Sequence, residues 1–134
     1  MIYVDPDSAN QQVVVTLKEK WADFDTTPES YLMKLTNTSG AGVYYVIPIV
    51  LSDNDRYTLL RINTNVAAPT SGSIELTETG EYAYTIYGQT GTTNIDPDNA
   101  AVIGVFEIGT LFVNATAYTE FTNDTTIPNT FIDQ

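Results

Sequence analysis

Gly80-Glu81-Tyr82-Ala83-Tyr84-Thr85-Ile86-Tyr87-Gly88-Gln89 is the stretch on which the reading of the fold turns. Successive side chains of an extended chain point to opposite faces, so Tyr82, Tyr84 and Ile86 share one face and Ala83, Thr85 and Tyr87 the other. Aromatic and β-branched residues at this period fit a half-buried pleated surface, which predicts a strand over Glu81–Gln89.

The turn that precedes it, Thr77-Glu78-Thr79-Gly80, sets Tyr82 in the context of a tyrosine corner, the feature of immunoglobulin-like sandwiches in which a Tyr hydroxyl bonds backbone a few residues upstream. Gly80, Tyr82 and Tyr84 are therefore read as structural residues. A tyrosine ladder that stacks sugar rings is the functional alternative, against the commoner use of Tyr to fill such faces.

Working upstream, Ser73 to Thr77 reads as the partner strand across that turn. Tyr57 to Ile62 reads as another, entered through Ser52-Asp53-Asn54-Asp55. Val43 to Leu51 is the most apolar stretch, near-continuous rather than alternating, which suggests burial on both faces. Pro48 inside it cannot donate a ladder hydrogen bond, so the strand either lies at a sheet edge there or switches sheets at a bulge. Tyr31 to Asn37 alternates, with Met33 and Leu35 on one face and Lys34 on the other. Val13 to Lys18 is the first core strand; Trp21, read as structural, and Phe24 follow it before the break at Thr26-Thr27-Pro28. Residues 1–12 read as an N-terminal arm.

Downstream, a polar connection runs from Gln89 to Ala100, with one short helical turn expected near Pro97 to Ala101. Val102 to Asn114 then returns as strand, with Gly104 and Gly109 as candidate bulges. Residues 115–134, rich in Thr and Asn, read as an extended C-terminal arm. The expectation is an all-β chain: one β-sandwich of about eight strands over residues 13–114, immunoglobulin-like or jelly-roll-like, since the connections range from tight turns to a long crossover.

Composition narrows the chemistry. The 134 residues contain 21 Thr and 9 Tyr but no Cys and no His, which removes thiolate nucleophiles, imidazole bases, zinc fingers and haem or iron–sulfur ligation. A chain of this length hides roughly two-thirds of its unfolded surface, enough for one core without disulfides or a structural metal. Five Lys and Arg stand against 17 Asp and Glu, a net charge of −12, so the long-range field repels nucleic acid and anionic membranes. No run approaches the ~18 apolar residues of a membrane span, and Ile2-Tyr3-Val4 followed by acidic residues is not a targeting leader.

Asn94-Ile95-Asp96-Pro97-Asp98-Asn99 spaces oxygen ligands as a calcium loop begins, making Asp96 and Asp98 the metal candidates, but the loop's glycine and distal Glu are missing. Asx-turn chemistry accounts for the same letters. No cofactor and no enzyme activity are expected. A carboxylate enzyme would need a cleft joining acids such as Glu75, Glu107 and Asp96. A carbohydrate-binding module would present Tyr44, Tyr45 or Tyr57 as an aromatic platform.

Several of these pieces together resemble a family. Thr16-Leu17-Lys18-Glu19, then Tyr31-Leu32 and Thr36-Asn37, then Gly80-x-Tyr82-x-Tyr84-x-Ile86-Tyr87-x-Gln89, Asn94-x-Asp96-Pro97 and Glu107-x-Gly109-x-Leu111-x-Val113 span residues 13–113. The pattern is similar to that of small β-rich virion proteins of tailed bacteriophages infecting Bacteroidota, including the crAss-like phages. It departs from that pattern at Gly88, where the family often has an acidic residue. The resemblance implies a structural particle component, an auxiliary or minor capsid protein on the head exterior that binds the major capsid protein or other virion proteins. Tail or neck placement is the nearest alternative, and self-association is left open.

Overall fold

A computed structural model describes residues 2–6, 8–24, 26–38, 40, 42–54, 56–76 and 78–113. Eight strands run in the order β1 (Ile2–Val4), β2 (Gln11–Val15), β3 (Ser30–Asn37), β4 (Val43–Val46), β5 (Ile49–Asp53), β6 (Thr58–Ile62), β7 (Gly80–Gln89) and β8 (Val102–Val113). They form two sheets, β1-β8-β7-β3-β4 and β2-β6-β5. All neighbours are antiparallel except β1 and β8. One apolar core joins them: Met33, Leu35, Tyr82, Tyr84, Ile86 and Leu111 from the larger sheet meet Val13, Val15, Leu60 and Ile62 from the smaller. The chain is an all-β sandwich.

β7 lies at the centre of the larger sheet, paired over Tyr82–Gln89 with the whole of β3 and with β8 on its other side. Tyr82, Tyr84 and Ile86 are buried while Ala83, Thr85 and Tyr87 are not, as the period-two pattern requires. The Tyr82 hydroxyl donates to the Glu78 carbonyl at 3.0 Å, which is the bond of a tyrosine corner. Gly80 opens the strand at φ +125. On β3, Leu32 is buried together with Met33 and Leu35, so both faces of that strand are covered there.

Four sequence expectations are corrected. Val43–Leu51 takes the second of the two readings offered at Pro48: the chain leaves the larger sheet after Val46 and enters the smaller at Ile49, so what is corrected is the expected burial on both faces. Pro48, which has no N–H to donate, sits at the crossing, and the Ile47 N–H goes instead to the Pro69 carbonyl at 2.8 Å. Both halves are edge strands, so Val43, Val50 and Leu51 are exposed rather than buried on two faces. Of the expected strand Ser73–Thr77, the described residues 73–76 are not a strand. Ile74 and Leu76 alternate inward with Glu75 outward, but the segment runs past the end of β6: the Ile74 and Leu76 N–H groups donate to the Asn63 and Thr64 carbonyls, and Ser73 makes only isolated bridges, to Asn63 and Ala68.

The N-terminal segment is no arm. β1 pairs in parallel with Leu111–Val113, Val4 is 2% exposed, and the buried Thr64 hydroxyl clamps the following loop by accepting from the Ser8 N–H and donating to the Asp5 carbonyl. Finally, Pro97–Ala101 forms turns, and the 3-10 turns fall at Lys18–Asp23 and Pro69–Ser71. Side chains of Asn94, Asp96 and Asn99 take the N–H groups of Asp96, Asp98 and Ala101, a local bonding pattern that competes with helix. The expected C-terminal arm, 115–134, lies outside the described residues.

Candidate functional site

The first 3-10 turn carries two aromatic residues across to β3 and β8. The Trp21 indole N–H donates to the Tyr31 hydroxyl at 3.0 Å, and the Lys18 ammonium lies 5.0 Å from the indole ring. Phe24 stacks on Phe106 with centroids 4.8 Å apart, and Tyr31 meets Phe106 edge-on at 5.8 Å. The strand glycines are seats for these rings. A Cβ at Gly104 would lie 2.5 Å from the Phe24 ring, and one at Gly88 would strike Phe106. The register shifts against β7 skip Phe106 and Ile103, so neither Gly104 nor Gly109 is itself the bulge residue. Trp21 is half-buried and packs against the core beside these rings.

Next to this cluster stands the most densely bonded carboxylate of the described residues. Glu107 pairs with the buried Ile86 and so faces inward, since directly opposed residues of an antiparallel pair share a face. Its Oε1 accepts from the Thr16 N–H at 3.0 Å and the Thr16 hydroxyl at 3.2 Å; its Oε2 accepts from the Tyr84 hydroxyl at 2.5 Å. Thr16 follows β2 of the smaller sheet, so one side chain ties the two sheets together. Gly109, paired with Tyr84, leaves room for that ring: a Cβ there would lie 2.5 Å from the hydroxyl. Burial first, then the bond to Glu107 and its charge, push the Tyr84 phenol well above its ordinary range. A phenol held in its protonated form donates to the carboxylate and does not serve as a base, so the pair acts as a charge-assisted tie.

The remaining candidates are placed apart. Asp96 and Asp98 are exposed, and the Asp96 carboxylate accepts the Asp98 N–H at 3.0 Å, an Asx turn. No group of three or more metal-ligating side chains occurs among the described residues. Glu75 is exposed in the 73–76 segment, so Glu75, Asp96 and Glu107 belong to different elements and do not converge. The tyrosine platform is not formed either. Tyr44 packs toward Tyr82 at 6.2 Å, its neighbour Tyr45 takes the opposite face of β4, and Tyr57 precedes β6 in the other sheet.

What sequence reasoning missed lies on the outside of β8. Ile108 is 72% exposed and Val105 41%, while Tyr3 of β1 is 63% exposed and stacks against Phe112 at 6.2 Å. β1 covers only Leu111–Val113 of that edge, and no strand among the described residues pairs with Val102–Thr110 on the side away from β7. The signal was present: counting back by twos from the inward Val113 and Leu111 puts Glu107 inside and Ile108 outside. Among the described residues no helix is long and apolar enough to cross a membrane. Comparison with protein families, curated proteins and solved structures finds no match for the chain.

Proposed function

We propose that this protein is a non-enzymatic structural component of a tailed bacteriophage particle, an auxiliary capsid protein on the head exterior that binds the major capsid protein or neighbouring virion subunits. The observation that carries the reading is the apolar β8 edge, with which no strand among the described residues pairs, while the best-bonded carboxylate of those residues is spent on joining the two sheets. Such an edge is a binding surface for another chain. The strand and turn patterns quoted above for residues 13–113 support the particle assignment, and the net charge of −12 suits a protein held away from packaged DNA and docked on a more basic shell.

Peptide mass spectrometry on purified particles, with heads separated from tails, tests it. Many copies in the head fraction are expected. Recovery with tails moves the protein to a tail or neck position, and absence from both fractions overturns the particle reading. A second reading, a carbohydrate-binding module, rests on Tyr3, 63% exposed and stacked on the half-buried Phe112, which puts an aromatic ring at the surface for a sugar to pack against. Glycan-array binding that is lost in Tyr3→Ala would favour it.

A further inference from the structure

Natural sheets guard their edges with short strands, charges, prolines or bulges. Three edges of this sandwich are guarded so. β4 is a four-residue strand that leads into Pro48, β2 has five residues, and β5 carries a register shift at Val50/Ser52 and ends on Asp53. The Val102–Thr110 edge of β8 is longer and contains no Lys, Arg or Pro. Its single charge, Glu107, is turned inward onto Thr16 and Tyr84. Two register shifts bend its first half; Glu107–Thr110 beyond them is regular and presents Ile108.

We propose that this edge accepts residues 115–122 of a second copy of the chain as an added strand. The stretch Ala115-Thr116-Ala117-Tyr118-Thr119-Glu120-Phe121-Thr122 has no Gly or Pro and is rich in Thr and aromatic residues, the composition of a strand. It follows β8 after a single residue, so folding back as a hairpin on its own β8 would start beside Leu111–Val113. β1 already holds that register. A neighbouring copy's segment meets no such obstacle and can lie on Val105–Thr110 directly. The later stretch is the poorer donor because Pro128 removes a ladder hydrogen bond. The inference does not rest on the particle reading, since it concerns only how copies of this chain pair.

The chain has no cysteine, so full-length variants with one introduced thiol give a direct test. Ile108→Cys chains are mixed with chains carrying Thr116→Cys, Tyr118→Cys or Glu120→Cys and oxidised mildly; Val14→Cys, exposed on the other sheet, is the collision control. The expected result is a disulfide-linked heterodimer from at least one of the three mixtures, at least tenfold above the Val14→Cys mixture. If the thiols join only when both sit on one chain, the segment covers its own β8 and the proposal is overturned. Equal linkage to Val14→Cys, or none, overturns it as well. Light scattering on the unmodified chain supplies a second reading: a dimer or larger species that Ile108→Lys returns to monomer supports the proposal, and a monomer at every concentration overturns it. Neither measurement involves phage particles, so its failure is distinct from failure of the particle assignment.

Discussion

Glu107 and Ile108 are neighbours on β8 with opposite fates. The carboxylate faces inward and holds three hydrogen bonds; the aliphatic side chain faces outward and is 72% exposed. Hydrophobicity alone would place them the other way round. Strand geometry forces the alternation, and the inward carboxylate is tolerated because it stays half-buried and Thr16 and Tyr84 supply donors where it lands. Nothing comparable compensates Ile108 within the described residues. An inward charge with partners is a finished interaction, and an outward apolar residue on an open edge is an unfinished one.

Substitutions along β8 test that contrast. Phe106→Ala, which empties the aromatic cluster, should cost about 3–5 kcal/mol in urea unfolding, the range for a buried Phe replaced by Ala. A loss under 1 kcal/mol would show that the packing of Phe24 and Tyr31 on Phe106 adds little to stability. Glu107→Ala should cost about 1–3 kcal/mol by leaving the buried Tyr84 hydroxyl without its acceptor, the exposed Thr16 N–H being free to bond water instead.

A part of the Glu107 contact becomes visible only in alkali. The Tyr84 phenol titrates higher in the folded chain than in the unfolded one, so its contribution is whole below the unfolded value of about 10 and is lost as pH rises from there. Tyr31 and Tyr82, raised mainly by burial, act in the same direction. Urea midpoints measured at pH 8 and pH 11 should therefore fall in the parent chain and fall less in Tyr84→Phe; an equal drop would disconnect Tyr84 from the alkaline loss. Tyr82→Phe removes one corner bond and should cost about 1 kcal/mol at neutral pH. At the end of the scale, Ile108→Ser should change the unfolding free energy by no more than about 0.5 kcal/mol at dilutions where the chain is monomeric, as exposed substitutions do. A larger loss there would mean that Ile108 is already covered.

Much of the central strand could be read in advance because its information is local. Tyr82, Tyr84 and Ile86 alternate within a few residues, and the corner bond spans only from Tyr82 to Glu78. The Asx turns at Asn94, Asp96 and Asn99 are legible for the same reason, each closing over two residues. The Glu107 tie was not legible: Thr16 lies 91 positions away in sequence, and no periodicity connects them. Nor was β1, whose parallel pairing with Leu111–Val113 joins the two ends of the described chain.

By itself the sequence determined that this is an all-β chain with a period-two central strand, a tyrosine corner and Asx-capped turns, because backbone alternation and short-range hydrogen bonds depend only on residues close along the chain. The tertiary structure alone decided which sheets the chain leaves and enters around Pro48, that Gly88, Gly104 and Gly109 make room for rings, that Glu107 joins the sheets, and that no described strand covers one edge of β8. Each of those depends on which distant strand arrives beside which, and that is set by the packing of the two sheets around one core.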